Sequence, residues 1–176
     1  MVRRLLKRYH DSFNIIDAIS AEKTISMWVH DEGLDSQNDG SLDTNKTFYK
    51  FLGAFKLGNS DAYKVAFNEG TDSRFCQQYE IFKNTPDGVF IDKLSGASLF
   101  DTKDRFNSSS GWLSFTSPVA GSVYELEDNS YGMRRIEIRS KTSDIHLGHV
   151  FPDGPNGMPR YCINATVLEF VPRKTI

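Results

Sequence analysis

The sequence MRRIEIRS at residues 133–140 alternates between polar and apolar side chains. Ile136 and Ile138 stand between charged residues, and this period of two predicts a β-strand with one buried face. Other segments with short apolar or β-branched runs between turn residues also predict strands: Gly88–Asp92, Trp112–Thr116, Gly121–Leu126 and Tyr161–Val171. Several such strands at close spacing favour a mainly β domain of antiparallel sheets, with short helices in the N-terminal third.

The chain before this region has a different character. Residues 1–10 contain four basic residues and no acidic one, and apolar residues recur at helical spacing up to Ile16, which favours an amphipathic helix or a targeting presequence. Residues 31–43 contain five aspartates and glutamates and no basic residue, which predicts a loop or linker. The spacing of Phe48, Phe51, Leu52 and Phe55 predicts a further helix docking onto the domain. We therefore expect an N-terminal extension at 1–57 and a folded domain at 58–176.

Composition excludes several classes of protein. The 176 residues include 21 lysines and arginines against 23 aspartates and glutamates, a net charge of −2, which argues against a nucleic-acid-binding protein. No apolar run approaches the roughly 18 residues that a membrane helix needs. Two cysteines exclude a disulfide scaffold and a four-thiolate zinc site. We expect a cytoplasmic protein, or a mitochondrial one if the basic N-terminus is a presequence.

A cysteine lies among polar residues in the last predicted strand, RYCIN at residues 160–164. Side chains alternate across a strand, so Arg160, Cys162 and Asn164 share one face. A nearby cation favours the thiolate, which is the nucleophilic form of cysteine. The pattern therefore indicates a catalytic nucleophile, with a buried and inert cysteine as the alternative.

A second cluster, HLGHVFPD at residues 146–153, contains His146, His149 and Asp153. Histidine transfers protons near neutral pH, and a carboxylate can orient it. With a cysteine elsewhere in the chain, these residues indicate a nucleophile and acid–base set. The same three side chains would also suit metal ligation, and structural histidines are a third interpretation.

Six segments over roughly residues 61–172 resemble the methionine-R-sulfoxide reductases of the B type, in the family's order and near its spacing. They are GWLSFT at 111–116, GMRR at 132–135, EIRSK at 137–141, HLGHVF at 146–151, DGP at 153–155 and RYCIN at 160–164. The resemblance implies two antiparallel sheets with the active site on one face. It also implies thiol-dependent reduction of the R epimer of methionine sulfoxide in proteins.

The resemblance also implies roles for single residues. The nucleophile falls on Cys162, and the indole that packs against the substrate methyl falls on Trp112. The other catalytic residues implied are His146, His149 and Asp153, and the other substrate-binding residues are Arg160, Asn164 and Phe151. Attack of the thiolate on the sulfoxide sulfur would leave a cysteine sulfenic acid.

Two departures from the family pattern affect metal content and recycling. Many members hold a structural zinc with two Cys-x-x-Cys pairs, and the corresponding positions here are Asp92, Ser95, Ser140 and Ser143. One carboxylate and three hydroxyls bind zinc poorly, so we expect no structural zinc and no cofactor. The usual resolving cysteine is replaced by Ser110. Some relatives use a distant N-terminal cysteine instead, which makes Cys76 a candidate, with direct reduction of the sulfenic acid by an external thiol as the alternative.

These features together predict a protein-repair enzyme of the oxidative stress response. Its expected partners are oxidised proteins carrying methionine-R-sulfoxide and thioredoxin or a similar thiol reductant, and we expect a monomer that binds neither nucleic acid nor membranes. One alternative is a non-catalytic ligand-binding module on the same fold. Another is a metal-dependent hydrolase that uses His146, His149 and Asp153.

Overall fold

The computed structural model of the protein describes residues 44–58 and 60–174. Contacts divide the chain between Lys56 and Leu57, so the two parts are described separately. The expected N-terminal helix before Ile16 and the acidic linker at 31–43 lie outside the described residues. Helix α1 spans Thr44–Leu57 and ends at the first residue of the second part, and it confirms the helix predicted from the phenylalanine spacing.

Two short helices precede the sheets in the second part. Helix α2 spans Asp61–Asn68, and the Ser60 hydroxyl caps it by accepting a hydrogen bond from the Tyr63 N–H at 3.4 Å. Helix α3 spans Gln77–Phe82 and begins directly after Cys76. The helical region therefore extends further along the chain than the first third. No described helix combines the length and apolar character that crossing a membrane requires.

Two antiparallel sheets form the rest of the domain, and the predicted fold class is confirmed. The smaller sheet has the order β2-β1-β9, and the larger has the order β3-β4-β8-β7-β6-β5. The strands are β1 Gly88–Asp92, β2 Ser98–Asp101, β3 Arg105–Phe106, β4 Leu113–Phe115, β5 Val123–Asp128, β6 Arg135–Ser140, β7 His146–Phe151, β8 Arg160–Ile163 and β9 Leu168–Pro172.

The prediction of one long final strand over Tyr161–Val171 is wrong. The chain leaves the larger sheet after Ile163, passes through a 3-10 turn at Ala165–Val167, and enters the smaller sheet as β9. Asn164 marks the break, since its side-chain amide bonds to main-chain groups of other segments instead of continuing the strand pattern. One apolar run therefore serves two sheets, which a period-two pattern does not reveal.

Aromatic side chains join the two sheets in the core. The rings of Phe100 on β2 and Phe115 on β4 stack with centroids 4.6 Å apart, and Phe90 on β1 meets Phe115 edge-on at 5.5 Å. All three side chains are fully buried. Because Phe115 lies on the strand next to β8, this packing also supports the strand that carries Cys162.

Candidate active site

Cys162 lies on β8, between two neighbouring strands of the larger sheet. Its register partners are Ser114 on β4 and His149 on β7. Directly opposite residues of an antiparallel pair carry their side chains on the same face, with Cβ atoms about 4.5–5.5 Å apart. The fold therefore places His149 directly opposite Cys162, although the two residues are 13 positions apart in the chain.

Strand β7 approaches β8 closely because residue 148 is glycine. A Cβ atom at Gly148 would lie 2.0 Å from the carbonyl oxygen of Cys162. The backbone of Gly148 also has a φ of +155°, which residues with side chains rarely adopt. Any side chain at this position would displace one of the two strands. Gly148 thus fixes the spacing between the histidine strand and the cysteine strand.

Burial and polar neighbours act in opposite directions on the Cys162 thiol. Burial raises its pKa, whereas the charge and hydrogen bond of Arg160 and a hydrogen bond of Ser110 lower it. Burial has the larger effect, so the pKa stays above its ordinary value. The resting cysteine at neutral pH is therefore predominantly a thiol that Arg160 helps to ionise.

The guanidinium of Arg160 is held from two sides. Its Nε and Nη2 atoms donate to the two carboxylate oxygens of Asp153 at 2.8 and 2.9 Å. The guanidinium carbon also lies 4.7 Å from the centre of the Phe151 ring. Asp153, predicted as a catalytic residue, thus contacts Arg160, and Phe151 supports the same side chain.

The two imidazoles come together through an irregularity in the sheet. Residues three apart in a regular strand point to opposite faces. The pairing of β6 with β7 shifts register between Ile138 and Arg139, and the rings of His146 and His149 lie with centroids 5.4 Å apart. The β-bulge therefore brings both histidines into one cluster.

Each histidine is paired with a carboxylate from another strand of the larger sheet. The Nε2 of His149 lies 2.8 Å from Oδ2 of Asp128, which also accepts from Arg135 at 2.6 Å. A hydrogen bond with Ser130, with further help from His149 and Arg135, holds the pKa of Asp128 well below its usual range. An ionised carboxylate only accepts, so Nε2 of His149 carries the hydrogen and the neutral ring keeps its lone pair on Nδ1. Burial lowers the pKa of His149 despite this partner.

His146 has the opposite orientation. Its Nδ1 lies 2.6 Å from Oε1 of Glu137, and the same oxygen accepts from Arg139 at 2.9 Å. Burial opposes ionisation of Glu137, but the bonds with His146 and Arg139 outweigh it and lower the pKa of the carboxyl. The Nε2 of His146 is buried and has no hydrogen-bond partner among the described residues.

The two remaining predicted substrate-site residues contact the main chain of Asp72. The indole N–H of Trp112 donates to the carbonyl of Asp72 at 3.0 Å. The N–H of Asp72 donates to the side-chain carbonyl of Asn164 at 2.8 Å, and the amide nitrogen of Asn164 donates to the carbonyl of Leu147 at 3.0 Å. The Asn164 amide is buried and occupied by these bonds, so it ties the cysteine strand to the histidine strand.

A comparison with family models identifies the domain. The model described as the SelR domain, the methionine-R-sulfoxide reductase B domain, matches residues 59–172. The chain belongs to this family. The match covers well over half of the sequence, and SelR-domain proteins are oxidoreductases that act on methionine sulfoxide. All residues of the candidate site lie within the matched region.

Cys76 of this SelR domain lies in a segment packed against the loop before Trp112. Arg74 Nε donates to the carbonyl of Ser110, and the N–H of Phe75 donates to the carbonyl of Gly111, both at 2.9 Å. The Sγ of Cys76 lies 3.8 Å from a carboxylate oxygen of Asp72. Burial raises the pKa of the Cys76 thiol. Both cysteines are free, and the loop residue Ser110 contacts Cys162.

A buried polar network occupies the positions where many SelR domains hold zinc. The Asp92 carboxylate accepts hydrogen bonds from the N–H groups of Leu94 and Ser95 at 2.8 and 3.1 Å. It also accepts bonds from the hydroxyls of Ser140, at 2.6 Å, and Ser143. Four donors satisfy the carboxylate, and hydroxyls are poor zinc ligands, so these residues do not fit a structural zinc ion.

The sequence motifs named the cysteine and both histidines as candidates but missed the carboxylates that bond to the histidines. Asp128 on β5 and Glu137 on β6 reach the histidines from other strands, so only the order of the strands in the sheet brings them together. The polar face of the MRRIEIRS stretch was the available signal, because Glu137 lies on it beside two arginines.

In the described part of the chain, no three histidine, cysteine or acidic side chains are grouped to hold a metal ion. Asp153 pairs with Arg160 instead.

Proposed function

We propose that this protein reduces methionine-R-sulfoxide in proteins back to methionine, with Cys162 as the nucleophile. Membership in the SelR family supports methionine sulfoxide as the substrate. The observation that carries the proposal is the placement of Cys162 between Arg160 on its own strand and His149 directly opposite. A non-catalytic ligand-binding module would have no need for this combination.

The first step transfers an oxygen atom from the substrate to the enzyme. The proton of the Cys162 thiol moves to Nδ1 of His149, and the thiolate attacks the sulfoxide sulfur. The substrate oxygen takes a proton from the imidazolium as it gains charge. The bond between the two sulfurs and the substrate S–O bond then break as the hydroxyl passes to the Cys162 sulfur. Methionine leaves, and one thiol and one sulfoxide have become one sulfenic acid and one thioether.

The Trp112 indole would provide the apolar wall for the substrate S-methyl group. Its N–H bond to Asp72 fixes the plane of the ring, and the Arg74 guanidinium carbon lies 5.7 Å from the ring centre. A fixed ring discriminates between the methyl group and the oxygen of a chiral sulfoxide better than a mobile one, because only one epimer then presents its oxygen to the proton donor.

We propose Cys76 as the group that resolves the sulfenic acid. The Cys76 thiol condenses with the sulfenic acid of Cys162, which forms a disulfide and releases water, and thioredoxin or a similar dithiol then reduces the disulfide. The contacts of Arg74 and Phe75 with the Ser110 loop support this role, since that loop contacts Cys162. Direct reduction of the sulfenic acid by an external thiol is the alternative.

We further propose that the protein needs no structural zinc and no cofactor. The hydrogen-bonded Asp92 network would stabilise the domain in place of a metal ion, because it joins the loop after β1 to the turn after β6. Metal analysis of the purified protein tests this point. Stoichiometric zinc, together with unfolding by a chelator, would contradict it.

The decisive experiment measures turnover of the separate R and S epimers of a methionine-sulfoxide peptide with dithiothreitol and then with thioredoxin. The wild-type protein should reduce only the R epimer, and Cys162→Ser should have no measurable activity while it stays folded. Cys76→Ser is the matched control: it should keep the dithiothreitol-driven activity and lose the thioredoxin-driven activity. Appreciable turnover by the serine variant at position 162 would refute the nucleophile.

Peptide mapping under non-reducing conditions after oxidation by substrate separates the two recycling routes. A Cys76–Cys162 peptide supports resolution by Cys76. If that peptide is absent and Cys76→Ser still turns over fully with thioredoxin, the enzyme works with a single catalytic cysteine. Failure of the wild-type protein to reduce either epimer, with a folded domain, would favour the ligand-binding alternative.

A further inference from the structure

Asp72 is a buried acidic residue that the proposed chemistry does not use. Only 6% of its surface is exposed, and it lies in the segment between α2 and α3. Its carboxylate faces the 3-10 turn that follows β8, where it accepts the hydroxyl of Thr166 at 2.6 Å and the N–H of Thr166 at 3.0 Å. The carboxylate therefore anchors the main chain at residue 72 to the end of the cysteine strand.

The main chain of Asp72 in turn holds two residues of the candidate active site. Its N–H bonds to the Asn164 side chain at 2.8 Å, and its carbonyl accepts the indole N–H of Trp112 at 3.0 Å. The N–H and the carbonyl of residue 72 thus hold Asn164, which directly follows β8, and the indole that is proposed to bind the substrate methyl group. The Asp72 carboxylate also lies 3.8 Å from Sγ of Cys76.

We infer that Asp72 is a positioning residue for methionine sulfoxide binding, because its anchored peptide orients the Trp112 indole and the Asn164 amide together. The expected effect on substrate binding rests on the proposed function, whereas the expected effect on the position of the indole rests on geometry alone. Asp72 does not touch the reacting atoms. It acts through Trp112, which would contact the substrate methyl group in the proposed function, and through Asn164, which ties β8 to the carbonyl of Leu147 on β7.

The geometry predicts a specific kinetic signature. Release of the indole weakens the contact with the substrate methyl group, which changes KM, whereas the Cys162–His149 pair is held by sheet register and stays in place. Substitution at position 72 should therefore raise KM for the R-sulfoxide peptide about 3- to 10-fold with kcat changed less than about 2-fold, the range that loss of one orienting hydrogen bond produces.

The test uses the full chain with Asp72→Asn, which keeps the shape of the side chain and removes its charge. Fluorescence is read in a Trp28→Phe background, so that Trp112 is the one remaining tryptophan. A released indole should show a shifted emission maximum and faster quenching by acrylamide. KM and kcat for the R-sulfoxide peptide are measured on the same protein. Asp87→Asn, at an exposed carboxylate that pairs with Arg173, is the matched control.

Thr166→Ala is the second variant and removes only the hydroxyl bond to Asp72. It should shift fluorescence and KM in the same direction by a smaller amount, and it serves if Asp72→Asn fails to fold. Unchanged emission, quenching and KM in a folded variant would overturn the inference. The fluorescence result does not depend on activity, so a wild-type protein that lacks reductase activity would refute the proposed function while the indole measurement still decides the role of Asp72.

Discussion

Replacing Arg160 by glutamine is expected to raise the pKa of the Cys162 thiol by about 1 pH unit or more. In the wild-type protein, burial raises this pKa, and the charge and hydrogen bond of Arg160 provide the main opposing effect. The substitution removes the opposing effect and keeps the burial. Asp153, whose charge also raises the pKa of Cys162, then loses the cation that neutralises it.

The size of the expected effect follows from the thiolate fraction. Below its pKa, a thiol loses about tenfold in thiolate for each unit by which the pKa rises. Alkylation of Cys162 by iodoacetamide at pH 7 should therefore slow about tenfold or more in Arg160→Gln. Turnover at the same pH should fall with it, because the thiolate is the nucleophile.

The assay measures the alkylation rate against pH in a Cys76→Ser background, so that Cys162 is the one thiol present. The midpoint of the curve gives the pKa directly. Arg173→Gln is the control, because Arg173 is likewise an arginine held by carboxylates, here Asp87 and Asp101, but it follows β9 in the other sheet. Its midpoint should equal that of the background protein.

A second variant, Asp153→Asn, should shift the pKa of Cys162 in the opposite direction. Asp153→Asn removes a charge that raises the pKa of Cys162, so its midpoint should move down. If Arg160→Gln leaves the midpoint unchanged or lowers it, the guanidinium does not stabilise the thiolate. If both variants move the midpoint in the same direction, the two side chains act through a structural change instead of through charge.

Two further predictions concern the substrate wall and the Asp92 network. Trp112→Ala should lower kcat/KM for the R-sulfoxide about 10- to 200-fold, the effect of losing a contact with one methyl-sized group, and unchanged efficiency would place the indole outside the site. Asp92→Ala should destabilise the domain by about 2–6 kcal/mol in urea unfolding, since the N–H groups of the buried Leu94 and the half-buried Ser95 lose their acceptor. Asp61→Ala, at an exposed carboxylate, should leave the urea midpoint nearly unchanged, and equal losses of stability in the two variants would contradict this reasoning.

Local patterns predicted most of the fold because they report on one segment at a time. The strand predicted at Gly88–Asp92 is β1 with the same bounds, and the alternating stretch at 133–140 contains β6, Arg135–Ser140. The pattern failed at Tyr161–Val171, where β8 and β9 join different sheets. An apolar run is buried in either sheet, so its composition carries no signal of the turn between them.

The candidate site divides in the same way between local and long-range information. Arg160 and Cys162 were predicted to share a face from their spacing alone, and the charge of Arg160 does act on the Cys162 thiol. The partnership of Asp128 with His149 depends on the pairing of β5, β6 and β7, which join residues far apart in the chain. Asp72 and Asn164 are separated by an even longer stretch of chain, and no pattern within either segment indicates the other.

The pH dependence of turnover should show a broad plateau, because the Cys162–His149 pair rests in its neutral form. Burial raises the pKa of the thiol and lowers that of the imidazole. The reactive form has the thiol proton on His149 and carries no net charge relative to the resting pair. Its population is therefore independent of pH between the two pKa values, and falls below the lower one and above the upper one.

The plateau of kcat/KM should extend from below about 6.5 to above about 8.5, the ordinary values of histidine and cysteine. His149→Gln should lower kcat about 10²- to 10⁴-fold and convert the plateau into a rate that rises with pH, because thiolate must then form without the imidazole. His146→Gln is the matched variant, and it should keep the plateau if it also lowers kcat. A wild-type profile with both limbs inside 6.5–8.5 would show that burial does not separate the two pKa values, and would refute the neutral resting pair.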